Sequence, residues 1–213
     1  MKESLSIEDL VRVMLSLADD MIAAKDRLTE LDAIIGDGDL GVTMVLGFSA
    51  VKESLANPAA SNVQDVLKRS GMAFADKAAS TFGTLTATMF MKAADVLKGK
   101  EAVGAPEFAA ILRAAAEGVQ KRGKAKEEDK TVLDALIPAA AAAEEAAGAG
   151  KPLSACLDGA LEAAQKGADN TVKMRSSAGR AAHFGDRTVG VKDAGAAAFE
   201  LMLESVARTV RSL

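Results

Sequence analysis

The sequence predicts an all-α fold, a single bundle of about eight antiparallel helices. Three observations carry this. Apolar residues recur at helical spacing through most of the chain, as in Leu10, Val11, Met14, Leu15, Leu17 and Ile22. Composition favours helix: the chain is Ala-rich and 49% hydrophobic, but only 3% aromatic, with no Trp and no Tyr. Bulk must come from Leu, Val, Ile, Met and Phe, with close Ala contacts between them. Finally, no stretch alternates as a strand does, and the connections read as short turns, which join antiparallel neighbours.

The elements follow in order. Ser6 with Asp9 forms a capping box, and the first helix should run to about Thr29. A second helix begins near Gly41 and stops before the turn signal Asn57-Pro58. Ser61 and Gln64 form a second capping box, starting a helix with Val63, Val66, Leu67, Met72 and Phe74 on its apolar positions. A small-residue break, Ala78 to Gly83, separates it from a fourth helix over Thr84 to Lys98. Pro106 opens the fifth helix, where its missing N–H is harmless. That helix closes at Lys121-Arg122-Gly123, with cations at the negative dipole end. Lys124 to Lys130 reads as a charged, solvated loop. The sixth helix spans Thr131 to about Ala147 with Pro138 inside, and the seventh spans Pro152 to about Lys173. Met174 to Lys192 reads as a long loop with at most a short helix, and Asp193 caps a last helix to about Arg211. No linker and no repeat divides the chain, so a single domain over 1–213 is expected.

Several function classes are excluded. The net charge is −4 and no long basic stretch exists, which argues against nucleic acid. No run of about 18 apolar residues is present to span a membrane, and the N-terminus is not a signal peptide. The lone Cys156 reads as a small buried apolar residue, which fits a reducing, cytoplasmic location. There is no GxxxxGK[ST] phosphate loop. His183 is the sole histidine, and by itself it reads as a surface or packing residue.

The chemistry concentrates in Leu31 to Phe48. Asp32, Asp37 and Asp39 lie within eight positions, and glycine alternates with aspartate at Gly36-Asp37-Gly38-Asp39. Asp and Gly break helices, so a bend here can aim the carboxylates at one point. Their mutual repulsion calls for a cation, and hard oxygen ligands suit Mg²⁺ with phosphates. A solvated turn is the alternative. A calcium loop is excluded, because the twelfth position from Asp37 is Phe48 rather than an acid. In an up-and-down bundle, alternate connections share an end. IGDGDLG, AASTFG, RGKAKEEDKT and GRAAHFGDRTVGVKDAG are such alternate connections, so they should form one site. Helix starts near Gly41, Gly83, Thr131 and Gly195 would aim N–H groups at a phosphate there. Ser80, Thr81, Thr84 and Thr131 add hydroxyls, and Arg180 offers a planar donor fork.

These stretches resemble the L subunit, or nucleotide-binding domain, of dihydroxyacetone kinase (DhaL-like). LDAIIGDGDLGVTM is similar to that family's metal loop, RGKAKEEDKTVLDALIPA to its RGKA…GDKT…D…P stretch, and GRAAHFGDRTVGVKDAGA to its GRA…GxRxxGxxDPGA loop. The resemblance implies a barrel of eight antiparallel helices with ADP or ATP at one end, held through two Mg²⁺ ions. It implies Asp32, Asp37 and Asp39 as metal ligands. It implies nucleotide contacts at Leu40, Gly41, Val42 and Thr43, at Ser80, Thr81 and Phe82, at Gly123, Thr131 and Val132, and at Arg180, Asp193, Ala194 and Gly195. It implies a carbonyl substrate held on a separate K-type subunit; no general base is evident in this sequence, and the catalytic residues stay unassigned. The phosphoryl donor is then ATP or a phosphohistidine relay protein fed by phosphoenolpyruvate. A homodimer is left open. The chain departs from the pattern at Leu40, where the family usually has His, at Phe82 in the glycine-rich loop, at Glu128 and at Ala194. Two alternatives remain: a non-catalytic ADP-binding regulatory module, and a related kinase for another small sugar-like or fatty-acid substrate.

Overall fold

In the computed structural model, residues 2–56 and 59–213 are described. The helices are α1 (Ile7–Ala23), α2 (Lys25–Ile35), α3 (Leu40–Ala56), α4 (Val63–Lys77), α5 (Thr81–Val96), α6 (Ala105–Gly123), α7 (Leu133–Gly148), α8 (Leu153–Asn170) and α9 (Ala194–Arg211). Between α8 and α9 lie two 3₁₀ segments, Thr171–Lys173 and Arg180–Thr188, the second broken at Gly185. No helix among the described residues is long and apolar enough to cross a membrane.

Helices α3 to α9 each pack on the next, α1 packs on α3, and α9 closes back on α1, so eight helices make a ring. Helix α2 stands outside this ring. It leans on α3, α9 and the Arg180–Thr188 segment, which places it at the ring's mouth. The all-α expectation is met.

Local chemistry sets the boundaries. Ser6 and Asp9 form the capping box at α1, with Lys2 paired to Asp9 at 2.6 Å. At α6, Glu107 accepts the Gly104 N–H and Pro106 sits in the first turn. The Ala-rich halves of α7 and α8 bury Ala139, Ala140, Ala143, Ala160, Ala164 and Ala168 completely. Pro138 cannot donate to the Asp134 carbonyl one turn back. That carbonyl lies where a side chain on Gly167 would stand, so the two helices meet backbone to backbone. Phe48, Phe74 and Phe90 cluster with centroids 5.1 to 6.2 Å apart, and the Phe74 ring lies over Gly47. Each such buried ring contributes roughly 1.5–3 kcal/mol.

The structure corrects several boundaries. The first helix does not run unbroken to Thr29. It breaks at Ala24 and resumes as α2, which reaches Ile35 and puts Asp32 on a helix instead of in the bend. Ala24 is a good helix former, so no local signal marks this break. The cap of α4 is Asn62, not Ser61: its side chain accepts the Asp65 N–H at 2.8 Å, and Asp65 accepts the Ser61 N–H. Helix α5 starts at Thr81, because Ser80 caps it by accepting the Gly83 N–H at 3.0 Å. Gly123 ends α6 from inside, and Lys124 takes the left-handed turn at φ 52°. A short antiparallel pair, β1 (Ser4–Leu5) with β2 (Val103–Gly104), forms where no strand pattern exists. The expected turn at Asn57-Pro58 lies outside the described residues.

Candidate functional site

The four unusual loops converge on a cavity of about 480 Å³ at the mouth of the ring. Its acidic end is built from two elements. Asp32 projects from the last turn of α2, and Asp37 and Asp39 come from the bend before α3. Glycine makes this bend possible. Gly38 has a left-handed φ of 72°, and a side chain on Gly36 would overlap the Asp32 carboxylate. Asp32 accepts the Leu40 N–H at 3.3 Å, and the Asp39 carbonyl accepts the Thr43 N–H at 2.9 Å, which ties both residues to the start of α3.

One oxygen from each of Asp32, Asp37 and Asp39 lies within 4.8 Å of the others. Asp37 is ion-paired with Arg180 across the cavity. Among the described residues, Asp39 has no such partner. Partial burial, and then the charge of Asp32, hold its carboxyl above the usual range. All-oxygen anionic donors this close fit Mg²⁺, which prefers hard oxygen ligands.

The other walls come from helix starts. Ser80 caps α5 and accepts a hydrogen bond from the Thr43 hydroxyl at 3.0 Å. Phe82, in the first turn of α5, packs its ring on Gly195 at the start of α9. Asp193 caps α9 by accepting the Ala196 N–H at 2.7 Å. Burial pushes its carboxyl up to about 6, against the pull of the backbone N–H groups that it accepts. Leu85 and Val132 supply apolar surface, and Ala178 to Ala181 with His183 form the outer rim.

Among the residues singled out in the sequence, the cavity is lined by Asp32, Asp37, Asp39, Leu40, Ser80, Thr81, Phe82, Thr131, Val132, Arg180, Asp193, Ala194 and Gly195. The others stand elsewhere; Thr84 lies one turn inside α5, its N–H donating to the Ser80 carbonyl. Gly41 is pressed against the Lys25 carbonyl and Thr29, so it sets the α2–α3 approach. Val42 is exposed outside the cavity, and Thr43 is buried behind Ser80. Gly123 lies behind Leu85.

Sequence reasoning missed Lys130. It sits in a stretch that reads as a solvated charged loop, yet it is only 1% exposed and lines the cavity. The neighbouring Asp134 fixes this loop by accepting the N–H groups of Glu128 and Thr131 at 2.6 and 2.7 Å. Positive φ at Glu128 and Lys130 shows a tightly specified turn, but neither residue is a glycine that would have signalled it. His183 stands exposed on the rim, within the loop that carries Arg180.

Comparison with known proteins adds the following. The DAK2 domain family model matches residues 34–208. The ADP-binding subunit DhaL of the PEP-dependent dihydroxyacetone kinase of Escherichia coli (strain K12) is 31% identical over 204 residues, 96% of this chain and 97% of that subunit. The L-erythrulose kinase of Pectobacterium atrosepticum is 32% identical over 207 residues, covering 95% of this chain but 35% of that enzyme. Among solved structures, the native dihydroxyacetone kinase of C. freundii shares the fold with a TM-score of 0.74 at 21% identity, over 98% of this chain and 36% of that one. The same kinase in complex with AMP-PNP and Mg²⁺ gives 0.69 at 22% identity, over 93% of this chain and 33% of that one. The chain thus spans nearly all of the bacterial subunit and about a third of the longer kinases. With a family model over most of its length, a relative matched almost from end to end and a shared helical ring, the chain belongs to the DAK2 domain family.

Proposed function

We propose that this chain is the nucleotide-holding phosphotransferase subunit of a dihydroxyacetone-type kinase. In this reading it carries Mg-ADP or Mg-ATP and passes a phosphoryl group to a small carbonyl sugar bound on a K-type partner chain. The observation that carries it is the close carboxylate trio in a cavity that also presents the apolar side chains of Phe82, Leu85 and Val132. Phosphates with their cations suit the carboxylates, and a nucleobase suits the apolar side chains. The names of the relatives, an ADP-binding kinase subunit and erythrulose kinases, support the same reading.

Asp32, Asp37 and Asp39 would hold the metal, and three carboxylates carry enough oxygens for two ions, as in two-metal phosphoryl-transfer sites. Bound Mg²⁺ supplies neutralisation of the charge on the phosphates. The chain's own residues do the positioning. The first N–H groups of α5 and α9 open on the cavity, where the positive helix ends favour an anion. Gly195 lets the Phe82 ring pack against the start of α9, where a side chain would collide with it. Arg180 already reaches across the cavity to Asp37, and the same reach presents its fork to a phosphate oxygen. Phe82, Leu85 and Val132 supply the apolar surface that excludes water around the nucleotide. The PEP dependence in the E. coli relative's name supports a relay in which ADP stays on the chain and a phosphohistidine protein recharges it.

Two measurements test the reading. The chain has no Trp or Tyr, so an absorbance maximum near 260 nm in the purified protein reports retained nucleotide directly. Turnover is then assayed with a K-type partner, dihydroxyacetone and either ATP or a phosphohistidine carrier. Absence of Mg²⁺-dependent ADP binding removes the reading. ADP binding without turnover on any carbonyl sugar supports the regulatory module instead.

A further inference from the structure

The Lys130 ammonium is buried in a cage of backbone carbonyls. Its Nζ donates to Thr171 O at 2.5 Å, Met174 O at 3.2 Å, Thr188 O at 2.7 Å and Val191 O at 2.5 Å. An ammonium has three N–H groups, so four oxygens share them. Burial pushes its pKa down, while the charges of Asp193 and Asp134 act to keep it protonated. The arrangement matches the carbonyl rings that replace the hydration shell of a monovalent cation.

The origin of those carbonyls matters most. Thr171 and Met174 lie on the stem leading into the Arg180–Thr188 segment, while Thr188 ends that segment and Val191 lies on the stem leading out. Between the stems, Gly190 N–H donates to Val172 O at 2.7 Å and Ser176 N–H to the Thr188 hydroxyl at 3.0 Å. From the α6–α7 loop, the Asp129 carboxylate accepts the Ser177 hydroxyl at 2.6 Å. The loop that carries Arg180 is thus fastened at its base to Lys130 and its neighbour, while its tip hangs over the carboxylates. Lys130 lines the cavity, but its ammonium is spent on the cage.

We propose that Lys130 is a positioning residue for the site: its ammonium clamps both stems of the 175–190 loop and so keeps Arg180 over the carboxylate end. This rests on the reading of the cavity as an Mg-nucleotide site. Without the clamp, four carbonyls lose their donor, the loop populates open states, and the apparent affinity falls by the fraction of molecules that stay closed.

The test compares the full chain with Lys130→Ala and Lys130→Met. Mg-ADP affinity is measured by calorimetry, and trypsin cleavage after Arg175, Arg180 and Arg187 is followed in parallel. Each measurement is made in sodium, methylammonium and tetramethylammonium chloride at equal ionic strength. Both variants should lose about tenfold or more in affinity in sodium, with faster cleavage in the loop. Methylammonium should restore both quantities in Lys130→Ala, whose cage is left open. It should not do so in Lys130→Met, whose side chain fills the channel, and tetramethylammonium, having no N–H, should restore neither variant. Unchanged affinity and cleavage, or a loss in Lys130→Ala that methylammonium leaves untouched, overturns the proposal. Failure of both variants to fold in any salt also overturns it, since Lys130 would then support the whole ring. If the wild-type chain itself binds no Mg-ADP, the site reading falls and this proposal with it; that arm alone separates the two failures.

Discussion

Replacing Asp39 by Asn should reverse the order of stability between free and loaded protein. Asp39 is exposed as a residue, though its carboxyl is partly desolvated, and among the described residues it has no cationic partner, whereas the charge of Asp37 is offset by Arg180. The repulsion left in the free site is therefore chiefly that between Asp32 and Asp39. At the 4.8 Å spread of the cluster and solvent-like screening, this is worth about 1 kcal/mol. Asp39 also precedes α3, where a negative charge favours the helix start by about 0.5 kcal/mol. The Asn variant loses both effects and also the desolvation cost of the Asp39 carboxylate, so the net gain to the metal-free protein is at least about 0.5 kcal/mol. At this chain length that raises the melting temperature by about 1–2 °C. With Mg-ADP the order inverts. At a ligand excess of about a hundredfold over Kd, the wild type gains about 2.7 kcal/mol, or roughly 5–10 °C. The variant should gain almost nothing at that concentration. Melting curves of both proteins, with and without Mg-ADP, provide the assay. An equal Mg-ADP shift in the variant would refute the reasoning, as would a metal-free variant several degrees less stable than wild type.

Other perturbations reach other parts of the account. Burial holds the Asp193 carboxyl at about 6, above its value in an unfolded chain, so the folded state keeps a proton between about pH 4 and 6 that the unfolded state releases. Metal-free stability should fall as pH rises through that window, by at most about 3 kcal/mol, and then level off. Asp193→Asn keeps the α9 cap and should flatten the curve in urea unfolding; parallel curves would contradict this. Gly83→Ala would drive a methyl group into the Ala78 carbonyl, backbone against backbone, and should lower the urea midpoint by the equivalent of about 2 kcal/mol or more. Arg180→Lys keeps the charge but loses the planar fork, so Mg-ADP affinity should drop about tenfold with little change in melting temperature; equal affinity would remove Arg180 from the phosphate end.

Much of this architecture is legible in the residues. Helical spacing, Ser6 with Asp9, Pro106 and Asp193 place most of the helices within a few positions, because each signal is local. The convergence of four loops was also legible, since alternation of connections around a bundle follows from topology alone. What escaped depends on contacts between distant segments. The break at Ala24 has no Gly or Pro to announce it, yet it sends α2 outward and lets Asp32 reach the bend. Gly41 reads as a phosphate glycine but answers to the crowding of Lys25 and Thr29. Lys130 sits among Lys124, Lys126, Glu127, Glu128 and Asp129, a run that looks solvated; only the return of residues 171–191 surrounds it with carbonyls.

The metal itself gives the most direct test. Crystals grown with ADP and Mn²⁺ in place of Mg²⁺ would locate the ion by its anomalous scattering. The account expects the signal at the Asp32, Asp37 and Asp39 carboxylates, within about 2.0–2.3 Å of their oxygens, with the ADP phosphates on its far side. A manganese signal elsewhere, or nucleotide in the cavity with those three carboxylates facing solvent, would contradict it.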